Sequence, residues 1–520
     1  MRRLAIAWLL VMFAGGCSGH IGTGNLPAVP AYQAAPTANI TIAIKWPSSA
    51  QSGANPAFIS PSAQSVTVAV NGTLIATINA PPPGQPSQAV TAAAPLGSDV
   101  FSMKTYDGAN ATGTMLGQVD ETFTVADGQA NNIALTVIGI ATSIAVVPEP
   151  NQPLLLGDAV SGYRIAGNRG VVFDVTLKDA DGNTILNGGQ PPLGVSGNQN
   201  LFFSYDDPSL NVIRAVSTNG INGYDQVVLT AFNPDGSQIS APPIKIGNTE
   251  IVAVIDGGST PRVSLYDLNG NAIPLPAGRF GGLTQPSGLT YDPCLFTFAI
   301  TDSASNSLNF YAEDGGPPAY TPGPFLPALN NPTALTFEPL NQTYVVANAG
   351  TATLNFYTYF YQGVTFNGYP LGSFVPTALS CLQSCPGYVM ASDPGNAVMV
   401  INGSDQIVWQ DGPPHVNHPS SVVPILLPQP ERNYITNRGN NTVTIYDDSG
   451  HIMTPSGTFP GLSQPTSMTF SNRGYLYVTN YGSNSVTKYD LNGNQQPLSG
   501  FSGLNAPTYI RVVNIGQCYG

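Results

Sequence analysis

The chain has 520 residues but only 16 Lys and Arg against 29 Asp and Glu, so charged residues make up 9 % and the net charge is −13. Glycine and proline number 56 and 47, and 42 % of the chain is hydrophobic. This excludes wholesale disorder, which needs low hydrophobicity and high charge, and excludes a long-helix or coiled-coil protein rich in Glu and Lys. It also excludes nucleic acid as a partner, since phosphate binding needs clustered cations. A large, turn-rich, all-β protein remains.

Met1-Arg2-Arg3 is a short basic segment, followed by an apolar run from Leu4 to Phe13 and then Ala14-Gly15-Gly16-Cys17. The run is too short to span a bilayer, which takes about 20 residues, but suits a signal peptide. The segment resembles the lipobox of bacterial lipoproteins, departing from it only in Ala14, where leucine is usual. The resemblance implies residues 1–17 as signal peptide, Cys17 as the lipidation site, and the membrane as a partner through the N-terminal lipid. The implied address is the bacterial cell envelope; Ser18, where a retention signal such as aspartate would otherwise stand, favours the outer membrane or cell surface. Residues 18–37, rich in proline and small residues, read as a flexible tether.

Residues 38–140 contain alternating segments: Asn39 to Ile44, Ser65 to Val70, Asp99 to Tyr106, Glu121 to Val125 and Asn132 to Val137. Period-2 alternation rich in Thr and Val is the half-buried strand pattern, and Asn71-Gly72, Asp107-Gly108 and Asp127-Gly128 supply turns. Residues 141–248 continue it with Val171 to Lys178, Leu201 to Tyr205 and Gln226 to Phe232. Both segments resemble Ig-like β-sandwich domains, the second those of bacterial surface proteins, where such modules act as spacers. Asp179-Ala180-Asp181-Gly182-Asn183 has some of the oxygens of a calcium loop but lacks the glutamate such a loop requires, and reads as a hairpin turn.

From residue 249 to 520 a proline, a hydroxyl residue and a short apolar strand recur at 42–46-residue spacing, beginning at Pro286, Pro332, Pro376, Pro419, Pro465 and Pro507. That is the period of propeller blades. A second strand in each unit ends on Asp302, Asn348, Asp393, Asn437 or Asn480, and the clearest copy runs from Gly474 to Asp490. These residues resemble NHL and YVTN-type β-propeller repeats. Ile251 to Asp256 and Val263 to Asp267 match the second and third strands of a unit whose first is missing, and Pro507 to Val513 is a first strand with no second or third after it. Joined, they complete one sheet from both ends and close a six-bladed ring. The expected fold is therefore all-β: two Ig-like sandwiches and a six-bladed propeller.

With Cys17 lipidated, four cysteines remain, an even number in an exported protein. Cys294 and Cys518 are expected to pair near the ring closure, and Cys381 with Cys385 locally; a four-cysteine zinc site is disfavoured because only one close pair is present. Metal-dependent gluconolactonase-like propellers carry carboxylates at the starts of the inner strands. Here those positions are Ser287, Thr333, Thr377, Ser420, Thr466 and Thr508, so no metal and no cofactor is expected. The hydroxyls are assigned bonds to backbone at the strand start, and the Asp/Asn row, including Asp256, bonds to amides two residues on. His415 and His418 are the weak catalytic candidates, positioned for a channel mouth. Phe356, Tyr357, Tyr359 and Tyr361 form an aromatic run that offers a binding surface for a protein or glycan, or else packs an outer strand on the next blade. The expected function is a lipid-anchored binding or scaffold head for a protein or glycan; the alternative is a hydrolase or lyase at the channel mouth.

Overall fold

The computed structural model describes residues 35–515 apart from 47–58, 83–86, 187, 198–200, 208–211, 218–222, 320–328, 340, 359–364, 383–386, 405, 426–430 and 454–457. The structure is all-β with short 3-10 turns only, and none of its described helices is long and apolar enough to cross a membrane. Cys17 lies outside the described residues.

The first core gathers residues from Ile40 to Val137 between a three-stranded and a five-stranded sheet. Strands Thr37–Lys45 and Ser65–Val70 turn alternate Ile and Val side chains into it, as the period-2 pattern requires. Asn71 and Gly72 both take positive φ (49° and 78°), the geometry that lets an Asn-Gly pair join two twisted strands. A second core, from Ala141 to Ile246, lies between two further sheets, with Val171–Lys178 alternating cleanly. The turn at Asp179 closes on itself, its Oδ1 accepting the amides of Asp181 and Asn183, while Oδ2 accepts from Ser60 Oγ of the first segment at 2.6 Å.

The remaining described strands, from Ile251 onward, form six small sheets of three or four strands. Their innermost strands are Pro286–Asp292, Pro332–Glu338, Ala378–Cys381, Pro419–Ile425, Pro465–Ser471 and Pro507–Val513, and each touches the next around a closed, propeller-like ring. Pro507–Val513 pairs antiparallel with Ile251–Asp256, Ile251 opposite Val513, so one sheet draws its strands from both ends of the ring's sequence. Second strands such as Ile251–Asp256 and Thr343–Asn348 are buried throughout, because both faces of a sheet pack on neighbours.

Two sets of polar bonds recur around the ring, one between sheets and one within them. Ser287, Thr333, Ser420 and Thr466 donate to the carbonyls of Pro332, Pro376, Pro465 and Pro507 at 2.5–2.8 Å. The expectation of backbone acceptors holds for these four, but the acceptor belongs to the next inner strand, so each hydroxyl ties two sheets together. The Asp/Asn row is structural in a different way from that expected. Asp256, Asp302, Asn348, Asn437 and Asn480 accept the amide two residues before the proline of their own sheet, at Asn505, Thr284, Asn330, Asn417 and Ser463. Asp393 departs from the row: strand Gly387–Ser392 ends one residue earlier, and Ser392 holds the register position.

Candidate functional site

The inner strands enclose a cavity of about 430 Å³, walled by five of the six and lying toward their C-terminal ends. Its wall alternates apolar groups, among them Leu379, Val422, Met468 and Phe470, with the hydroxyls of Thr336, Ser380, Ser421 and Thr469. Three of these hydroxyl oxygens already accept a backbone amide from the next strand: Thr336 from Cys381, Ser421 from Met468, and Thr469 from Val512. A hydroxyl that accepts in this way still has its proton to donate.

Arg511 is the one charged residue in that described wall. It stands at the fifth position counted from the proline of its strand, where the sibling strands carry Thr290, Thr336, Ser380, Val423 and Thr469. Its Nε is buried without a hydrogen-bond partner among the described residues. Burial pushes the guanidinium below its usual range, and burial likewise pushes the Tyr509 phenol up. Thr290, at the same level of the adjoining inner strand, has a buried Oγ1 that also lacks a partner. Sequence reasoning passed over Arg511 because it searched the inner strands for carboxylates and imidazoles. The signal was present as the single cation in a series of hydroxyls.

The two histidines lie elsewhere, near the start of the inner strand that begins at Pro419. They address different carboxylates. His418 Nδ1 is 2.8 Å from Asp393 Oδ1, whose other oxygen takes a 2.8 Å bond from Arg438. His415 Nδ1 is 3.0 Å from Asp411 Oδ2, which also accepts from the Tyr446 hydroxyl at 2.9 Å. Burial, with Asp411 beside it, pushes that phenol far up. His418 has positive φ (48°), as do Asn331, Gln464 and Ala506 at the equivalent places. Its amide bonds Asn396 just as Gln464 and Ala506 bond Asn441 and Asn484. The backbone role of His418 is thus that of its siblings, and only the imidazole is particular to it. Its side chain is 53 % exposed. Replacing His418 by alanine should therefore change stability by no more than about 1 kcal/mol, read by denaturant unfolding. A loss well above that would mean the imidazole does structural duty. Among the described residues no group of three His, Cys, Asp or Glu side chains is placed to hold a metal.

The aromatic run is corrected in part. Tyr357 is only 2 % exposed, packed with Phe337 and Tyr344 of its own sheet and Phe310 of the preceding one, and takes a bond from Asn355 at 3.3 Å. Phe356 is half-buried against the following sheet, edge-on to Tyr388 at 5.7 Å. These two rings pack the ring together and are not a contact surface, because both faces of a blade are interior. Tyr359 and Tyr361 lie outside the described residues, as do Cys385 and Cys518. Cys294 follows the inner strand Pro286–Asp292, whose Asp292 Oδ1 accepts its amide; Cys381 ends the inner strand of another sheet.

The sandwich segment meets the ring near the cavity. Glu313 is fully buried and accepts the amides of Asn168 and Arg169 at 2.8 and 2.6 Å, together with a very short bond from the Tyr291 hydroxyl. Asn168 Nδ2 also donates to the carbonyl of Asn514, a residue of the cavity wall.

No family model and no curated protein matches the chain. Among solved structures, it is similar to a chain in a nidogen/laminin complex (14 % identity, 52 % of this chain and 99 % of that one, TM-score 0.41). It is also similar to a virginiamycin B lyase from Staphylococcus aureus (14 %, 60 % and 90 %, TM-score 0.34). A third is an auxiliary nutrient binding protein from Bacteroides ovatus (10 %, 62 % and 94 %, TM-score 0.36). Likeness at this level carries no functional argument.

Proposed function

We propose that the chain is a lipid-anchored protein of the bacterial cell envelope, whose six-bladed propeller of NHL/YVTN type is a non-catalytic binding head carried on two Ig-like modules. The observation that supports it is the cavity: a walled space of about 430 Å³, within the range of small-ligand and sugar sites, with no carboxylate or imidazole in its described lining. Acid–base chemistry needs such groups converging on one point. The hydrolase or lyase reading rests on His418 with Asp393, and it requires that His418→Ala abolish a turnover.

In the same reading Cys17 carries the lipid, and Cys294 pairs with Cys518 and Cys381 with Cys385. What supports the pairings is that neither Cys294 nor Cys381 is a free thiol. The first bridge would staple the segment that follows the closing strand to an adjoining sheet.

The binding reading is tested by filling the cavity. Ser380 lines it and is not fully buried, so Ser380→Phe should occupy the space without opening the ring. A panel of defined glycans and peptides is screened against the full chain and this variant, with melting temperature as the folding control. The expected result is a ligand bound by the wild type and weakened at least about tenfold in the variant, equivalent to 1.4 kcal/mol. Binding indifferent to the filled cavity would overturn the cavity as the site.

A further inference from the structure

We propose that the central cavity is a site for a small organic anion, its carboxylate or phosphate group held by Arg511 with the wall hydroxyls donating around it. This rests on the binding-head reading above and specifies its ligand.

Arg511 is half-buried, and a guanidinium partly withdrawn from water without a counter-charge is costly, since buried cations are as a rule paired. Arg511 takes part in none of the ion pairs among the described residues, and its Nε–H is buried with nothing to donate to. The chain has few cations to place, 16 in 520 residues, and a net charge of −13, yet it sets one in the wall of this cavity. The sibling strands show what suffices structurally at this position, a hydroxyl or a valine. Arg511 is therefore not required by the repeat.

The surroundings point to the same chemistry. Thr336, Ser421 and Thr469 have oxygens that accept backbone amides and keep their protons to donate. A wall of donors and one cation, with no acidic group in its described lining, complements an oxyanion. The planar fork of arginine suits carboxylate and phosphate alike, and the apolar groups between the hydroxyls suit the carbon skeleton of such a molecule.

The experiment is calorimetric titration of the detergent-purified full chain with D-glucuronate, D-glucose 6-phosphate and D-glucose at low ionic strength. At least one of the two anions is expected to bind at least about tenfold tighter than glucose, and that preference should shrink with added salt. The two anions distinguish a carboxylate from a phosphate ligand. Arg511→Met should erase the preference. Arg511→Lys, which keeps the charge but loses the fork, should retain part of it and serves as the readout if the methionine variant does not fold. Anions bound no better than glucose by the wild type, or bound equally well by Arg511→Met, would overturn the proposal. If glucose binds and is lost in Ser380→Phe while the anions show no preference, the binding-head reading stands and only the anion assignment fails.

Discussion

Ile510→Asp is expected to abolish the cooperative melting of the ring. Ile510 lies on the closing strand, 1 % exposed, packed with Val252, Val254 and Tyr477 from the two sheets it joins. The substitution removes an aliphatic side chain, a loss of about 2–5 kcal/mol, and sets a carboxylate in an apolar cluster. The sum is comparable to the whole stability of an ordinary domain, about 5–15 kcal/mol. A ring is also more exposed to such a loss than an open sheet. Detaching Pro507–Val513 leaves the ladder edge of Ile251–Asp256 unpaired and separates the two neighbouring inner strands at once. Calorimetry and limited proteolysis read the outcome, with Ile510→Val as control at about 0.5–1.5 kcal/mol. A cooperative melt of the aspartate variant within a few degrees of wild type would show that the closing strand does not hold the ring.

The second large effect concerns Glu313. Glu313→Ala would leave the amides of Asn168 and Arg169 and the Tyr291 hydroxyl buried without their acceptor, an expected loss of about 3 kcal/mol or more. A pH signature separates this carboxyl from the others. Burial raises it above its ordinary range against the opposing pull of its hydrogen bonds. A carboxyl raised in the folded state takes up a proton more readily there than in the unfolded chain. Its contribution is therefore fully present below the unfolded value near 4.5 and lost as pH rises through the folded one. Relative to Glu313→Gln, which cannot titrate, the wild type should lose stability as pH climbs through that window, measured by paired melting curves. A difference that grows in favour of wild type would mean that the hydrogen bonds outweigh desolvation.

The parts of the fold that could be read in advance are those written in local chemistry. Proline at each inner strand start, Asn-Gly at a hairpin, and matching half-sheets at Ile251 and Pro507 all act within a few residues or by simple complement. Partners were harder than roles. The Asp/Asn row was correctly structural, but its acceptors receive amides from the entry loop, more than a dozen residues away in sequence. Asp393 was assigned by residue type where register decides, and Ser392 holds the place. Of the two readings of the aromatic run, Phe356 and Tyr357 take the packed one, because alternation separates inside from outside only when one face of a sheet is wet. Contacts such as Asn168 with Glu313, 145 residues apart, leave no local trace at all.

The strand that completes the first sheet, residues 507–513, is also the last part of the ring to leave the ribosome. Every other inner strand can be synthesised without yielding a finished cavity, since one wall and the only charged residue of its described lining, Arg511, arrive together. On the proposed reading, competence to bind would be acquired in a single late event instead of accumulating blade by blade. A chain interrupted before residue 507 lacks the closing strand and Arg511 together, so on that reading it would not compete for the ligand.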